Sequence, residues 1–149
     1  MCWELRHSIV AQADRQTVWA FHSNIDNMAR LEGDAVESIT LDGPFQAGAK
    51  GTTRMKGQPS THWRLAEVSP PGRSVTEIEL NEAVLRITWT FDELPDGRTR
   101  LSQHMVLDGP GAAAYVPLVQ EHLAGNVAKG MERLAREIGK TAAGGTVDR

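Results

Sequence analysis

The chain has 149 residues, 40% of them apolar and 23% charged, with a net charge of −3. That is enough for one domain with a sizeable core and too little for two, and it excludes a disordered chain, a collagen-like chain or a coiled-coil rod. No basic run offers nucleic acid a positive surface, and a single cysteine, Cys2, excludes an internal disulfide and a cysteine-built zinc cage.

Residues 3–10, WELRHSIV, alternate in polarity. Trp3, Leu5, His7 and Ile9 share one face, the period of a half-buried strand. Asp14 then offers a helix N-cap, and Val18, Trp19, Phe21, Ile25, Met28 and Leu31 follow at helical steps. This predicts one or two short helices, broken near Ser23-Asn24. From 35 to 108 the pattern becomes strands near 35–42, 50–57, 61–69, 73–80, 84–93 and 98–108. Asp42-Gly43-Pro44, Pro70-Pro71-Gly72 and Pro95-Asp96-Gly97 mark turns, Asn81-Glu82 a weaker one. Alternation in the last two strands predicts an antiparallel meander with one covered face and one wet face. Gly109-Pro110-Gly111 hands over to a long helix, about 112–139, with an apolar stripe of Val116, Val119, Leu123, Val127, Met131, Leu134 and Ile138. Residues 1–139 are read as the domain and 140–149 as a flexible tail. Leu5, Ile87, Trp89, Leu101, Met105, Leu123, Val127 and Met131 are expected to be largely buried.

The expected fold class is α+β: a curved seven-stranded antiparallel sheet wrapped around the C-terminal helix, with two short helices after strand 1. One helix cannot fill such a concave face, so a pocket between sheet and helix is expected. The order of elements and several local motifs resemble the START-like helix-grip superfamily, and within it the polyketide cyclase/dehydrase-type proteins. The carrying residues are Ala13-Asp14-Arg15-Gln16-Thr17-Val18-Trp19 with Ile25-Asp26, then Gly48-Ala49-Lys50-Gly51 leading into Thr52-Thr53-Arg54-Met55. Trp63-Arg64-Leu65-Ala66-Glu67-Val68-Ser69-Pro70-Pro71, the Asp96-Gly97-Arg98-Thr99-Arg100-Leu101 hairpin and Gly109-Pro110 complete it, over roughly 3–139. The resemblance implies a cavity protein, in a superfamily of aromatase/cyclases, hydroxylase-like enzymes, lipid carriers and hormone receptors, and licenses no single reaction.

Among the five histidines no HxH or HExxH pair occurs, so neither a metal nor another cofactor is expected. His62 and His104 belong to outer faces. His7 shares the inward face of its strand and is either a core histidine bonded to a neighbour or a pocket-lining group that bonds a ligand or moves a proton. Gln103 is an amide on an apolar row, whose partners come from the protein or from a ligand. Glu67 follows Trp63 and Leu65 at two-residue steps and could face either way. Arg54, Glu77 and Glu79 belong outside, and a bulge that reverses that phase would bring Glu79 and Arg54 into the cavity. Met55, Trp63, Trp89, Phe91, Met105 and Tyr115 are core fillers or the grip on a flat ligand. His122 and Asn126 edge the helix stripe, as a polar seam or as contacts at the cavity mouth. Gly109-x-Gly111-x-x-Ala114 lacks the second parallel strand of a dinucleotide fold. Gly139-Lys140-Thr141 ends a helix, whereas a phosphate loop starts one.

Three function classes follow. The first is a binding protein for a small hydrophobic or aromatic molecule, polyketide-like or lipid-like. The second is a cyclase/dehydratase in which the cavity folds the substrate and His7, helped by Gln103 or Tyr115, moves protons. The third is an interaction module like the stress-protein activators, which an apolar outer sheet face would favour. The candidate contacts are His7 and Gln103 for chemistry, and Met55, Trp63, Trp89, Met105, Tyr115 and His122 for binding. No apolar stretch approaches the roughly 20 residues of a membrane span, and MCWELRHSIV carries charge where a signal peptide is apolar. A cytoplasmic protein is therefore expected, with a small hydrophobic molecule as partner, no nucleic acid and no membrane span; a homodimer is an open alternative.

Overall fold

The computed structural model describes residues 3–33 and 36–147; the side chains of Glu32, His122 and residues 143–147 fall outside that description, as do Cys2 and the last two residues of the expected tail. Seven strands form one antiparallel sheet in the order β1-β7-β6-β5-β4-β3-β2. They are β1 (Trp3–Ala11), β2 (Val36–Asp42), β3 (Lys50–Met55), β4 (Thr61–Ser69), β5 (Arg73–Leu80), β6 (Ala83–Glu93) and β7 (Thr99–Asp108). The first and second strands are the two edges, so α1 (Arg15–His22) and α2 (Ile25–Glu32) carry the chain from one edge to the other. Their break lies where Ser23-Asn24 predicts it. Asp14 caps α1 by accepting from the Thr17 N–H at 2.8 Å, and Asn24 caps α2 by accepting from the Asp26 N–H at 3.0 Å. The Thr17 hydrogen bond also holds the Asp14 carboxyl below its ordinary pKa.

The expected helix 112–139 is divided into a 3₁₀ turn (Ala112–Tyr115), α3 (Val116–His122) and α4 (Asn126–Val147). Gly125, in the break, favours an interruption because glycine costs a helix interior about 1 kcal/mol relative to alanine. The helix also runs past the expected end at 139 into the segment read as a tail. Val127, Met131, Leu134 and Ile138 are buried on one stripe of α4, which packs on β1 and α1. Arg133 donates to the Leu31 carbonyl at 2.8 Å and ties α4 to the end of α2.

Of the residues expected to be buried, Leu101, Met105, Val127 and Met131 are so. Leu5, Ile87, Trp89 and Leu123 are only partly buried. Leu123 falls at the helix break, and the other three are inner-face residues of β1 and β6 packed against the core.

The 3₁₀ turn braces the β5–β6 hairpin. Gly111 donates its N–H to the Glu82 carbonyl at 2.7 Å, and the Asn81 N–H donates to the Tyr115 hydroxyl at 2.9 Å. The approach is so close that a Cβ at Gly109 would lie 2.8 Å from the Glu82 carbonyl oxygen, and Gly109 has φ +119°.

A second, smaller core under β2–β4 gathers Ala49, Trp63 and Leu65 with Ile39, Leu41 and Phe45. Trp63 lies across from Gly51, and a Cβ at Gly51 would sit 2.2 Å from its ring. The bare glycine is therefore the seat of the indole, whose Nε1 donates to Thr53 Oγ1 at 3.0 Å. Gly51→Ala is expected to expel the ring and cost about 1–3 kcal/mol. Denaturant titration followed by tryptophan emission checks it, and an unchanged midpoint would show that the ring has another seat.

Candidate functional site

Directly opposed residues of antiparallel strands share a face. The registers therefore set His7, Gln103, Trp89 and Ser74 in one transverse row across β1, β7, β6 and β5 on the inner face. The row on one side is Leu5, Met105, Ile87 and Thr76; on the other side it is Ile9, Leu101 and Phe91. A polar row thus lies between two largely apolar ones. Two of the sequence candidates, His7 and Gln103, are direct neighbours although 96 positions apart in the chain, with Trp89 next to Gln103 and Met105 two residues along.

The inner face is unevenly covered. On β7, Leu101, Gln103, Met105 and Leu107 are all buried. On β6, Leu85 and Phe91 are buried while Ile87 and Trp89 between them keep partial exposure. On β5, Ser74 is buried while Thr76 and Ile78 are not fully so. Burial on this face is thus complete at two ends, Leu85 and Phe91, and partial between them.

One end is sealed by a group that the sequence reading passed over. His22, in the last turn of α1, is buried, and its Nε2 is 2.8 Å from Ser74 Oγ. Its ring is surrounded by Phe91 at 5.0 Å, Trp89 at 5.5 Å, Phe45 at 5.6 Å and Trp19 at 5.7 Å. The contacts with Phe45 and Phe91 are edge-on, as ring quadrupoles prefer. Burial among these rings disfavours the charged imidazolium and pushes the His22 pKa down to about 4. A signal for it exists in the sequence: Val18, Phe21 and His22 stand at i, i+3 and i+4, one helix face. Phe45 reaches the cluster from the β2–β3 loop, whose irregular path no periodicity announces.

Other candidates are placed elsewhere. Trp63 belongs to the second core, and Met55 is half-buried at the end of β3 beside Val36. The Tyr115 hydroxyl is occupied by the β5–β6 turn. The side chain of His122 is outside the described residues.

Ala66 is an extra residue between the Leu65–Thr76 and Glu67–Val75 pairs, a bulge that turns Glu67 outward onto Arg73 at 2.9 Å. Arg54 and Glu77 face outward too, Arg54 pairing with Glu37 at 2.8 Å. Partial burial works against ionisation of Glu77, but hydrogen bonds from Arg86 and Arg64 outweigh it and hold its carboxyl below the usual pKa. His104 is 2.6 Å from Glu4 on the same outer surface, and that bond lowers the Glu4 pKa. Two shallow basins lie outside the sheet. One of about 600 Å³ is bordered by Thr40, Lys50, Thr52 and His62, and one of about 340 Å³ by Ser8, Ser102, Thr88 and Thr90. His7 and Gln103 border the second through the main chain, because their side chains point to the other face.

Residues 3–139 match the family described as polyketide cyclase / dehydrase and lipid transport. The chain belongs to this family. No curated protein sequence matches it significantly. Its fold is shared with norcoclaurine synthase from Thalictrum flavum in complex with dopamine and hydroxybenzaldehyde, at 10% identity and TM-score 0.71, covering 91% of this chain and 86% of that one. It is shared with Ara h 8.0201, at 9% identity and TM-score 0.72, over 91% and 97% of the two chains. A protein from Thermus thermophilus is similar at 18% identity and TM-score 0.66, again over 91% and 97%. The family member described here thus has the START-like helix-grip fold that its sequence resembles. Among the described residues no helix is long and apolar enough to cross a membrane.

Proposed function

We propose that the protein binds a small hydrophobic or aromatic molecule between the inner face of β5–β6 and the helices. The observation that carries this reading is the partial exposure of Ile87 and Trp89, on a covered face, between the buried Leu85 and Phe91. Apolar side chains left unfilled inside a domain lose contact energy that a ligand restores. Family membership supports the reading, and so does the capture of two aromatic molecules by norcoclaurine synthase on the same fold.

The test is a titration with N-phenyl-1-naphthylamine, a neutral dye that brightens in apolar surroundings. Binding is expected, and Trp89→Leu is expected to weaken it on the order of tenfold. Thr90→Leu, on the outer face of the same strand, should leave it unchanged. Absence of binding, or equal effects of the two variants, overturns the reading. Native mass spectrometry of freshly purified protein would name a co-purified ligand directly.

A second reading, a cyclase/dehydrase-type enzyme, is favoured by the adjacency of His7 and Gln103. There His7 moves a proton and the Gln103 amide orients the substrate. An amide can replace an imidazole as a hydrogen-bonding group and cannot titrate near neutral pH. His7→Gln is therefore expected to keep part of the binding of the co-purified molecule and lose its turnover. Turnover by His7→Ala equal to the parent's makes His7 a structural residue.

The interaction-module reading finds no support. The outer face carries hydroxyls and ion pairs, and the large apolar side chain exposed among the described residues is Leu118, on α3.

A further inference from the structure

We infer that the inner site selects an uncharged molecule carrying a hydrogen-bond donor and acceptor side by side, such as a carboxamide, a lactam or a hydroxy-ketone, and that Gln103 reads that pair. The inference rests on the proposed binding site and adds the chemistry of its ligand. Gln103 is only 9% exposed, and its amide bonds to no other described residue. No fully buried side-chain polar atom among the described residues lacks a partner. The Gln103 amide therefore keeps some exposure of its own, and its place in the row puts that amide on the inner face, beside Trp89 and His7. A primary amide offers one donor edge and one acceptor, and a ligand that covers them without pairing them leaves both unsatisfied, which is costly. A ligand that presents the complementary pair removes that cost.

The second leg is where the charges are. Across the inner rows of β1, β5, β6 and β7 between Trp3 and Ile9, Ser74 and Ile78, Leu85 and Phe91, and Leu101 and Leu107, no Asp, Glu, Lys or Arg occurs. On the outer side of these strands Glu77 pairs with Arg86 and with Arg64 of the neighbouring β4, and Glu4 with Arg6 and His104. His22 stays neutral near pH 7 because burial holds its pKa down. A carboxylate or ammonium brought inside would exchange water for a lining without counter-charge. The site is thus closed to ionised fatty acids and open to neutral carbonyl compounds of similar bulk.

The experiment uses three probes on one ring system: naphthalene-2-carboxamide, 2-methylnaphthalene and 2-naphthoate. Each competes with N-phenyl-1-naphthylamine at pH 8, above the ordinary imidazole range. The carboxamide is expected to bind on the order of tenfold tighter than 2-methylnaphthalene, and 2-naphthoate at least about tenfold weaker than it. Gln103→Met, of similar volume, should erase the advantage of the carboxamide while leaving 2-methylnaphthalene within about twofold. Binding of 2-naphthoate as tight as that of the carboxamide overturns the inference, as does a carboxamide advantage that survives Gln103→Met. If that variant does not fold, the ranking in the parent decides. If the dye binds and none of the three competes, the ligand chemistry is wrong while the binding site stands; if the dye itself does not bind, both fall.

Discussion

Replacing Phe91 by alanine is expected to lower the unfolding free energy by about 3–5 kcal/mol. Phe91 is 1% exposed, among the largest fully buried side chains of the core. Its ring contacts Trp19 at 6.0 Å, His22 at 5.0 Å and Trp89 at 6.1 Å. The loss therefore combines the transfer energy of the ring, its edge contacts and the void left behind. The backbone there also cannot relax freely, because the Phe91 N–H donates to the Gly72 carbonyl at 2.9 Å. Chemical denaturation measures the change. A loss below about 1 kcal/mol would mean that Trp19 and Trp89 collapse into the space, and that the cluster is more pliable than its packing implies. Phe91→Leu, which keeps part of the volume, should fall in between.

The second large effect is on the pH dependence of stability. The His22 pKa in the folded protein is about 4, below the ordinary histidine value of 6.5 that the unfolded chain approaches. The folded state therefore resists a proton that the unfolded state accepts. Stability from this residue is fully present above pH 6.5. It falls as the pH drops from there toward 4, by roughly 3 kcal/mol in all. Urea titrations at half-unit steps from pH 7 to 4.5 should show this decline. The carboxyls of Glu4, Asp14, Glu77, Asp96 and Asp108, all held below their ordinary values, act mainly below that window.

His22→Phe removes the titration. It starts from a lower stability, because Ser74 Oγ, fully buried, loses its partner. Its profile between pH 6.5 and 4.5 should nevertheless be nearly flat. A variant that declines as steeply as the parent would show that another group carries the dependence.

Periodicity and turn residues placed the strands and the two short helices of this protein, but not the division or the end of its C-terminal helix. Alternation in WELRHSIV, in Leu85-Ile87-Trp89-Phe91 and in Leu101-Gln103-Met105-Leu107 marks which face each strand buries, because the side-chain period of a strand is two. The cap at Asp14, the break at Ser23-Asn24 and glycine turns mark where elements begin and end. His7 and Gln103 were recognisable as polar groups on apolar rows for the same reason.

Their meeting, and the company they keep, was decided by the fold. Strand register joins His7 to Gln103 and Trp89 to Ser74, and register is a long-range pairing that local pattern does not encode. The bond between His22 and Ser74 spans 52 positions, and the ring of Phe45 arrives from an irregular loop. The bulge at Ala66 turns Glu67 outward although two-residue counting leaves its direction open. After the break before Asn126, α4 lies over β1 and α1, while Ile87 and Trp89 of β6 stay partly exposed. Local chemistry sets the face and the period of each element; which faces meet, and where they fail to fill the space between them, depends on packing among distant parts of the chain.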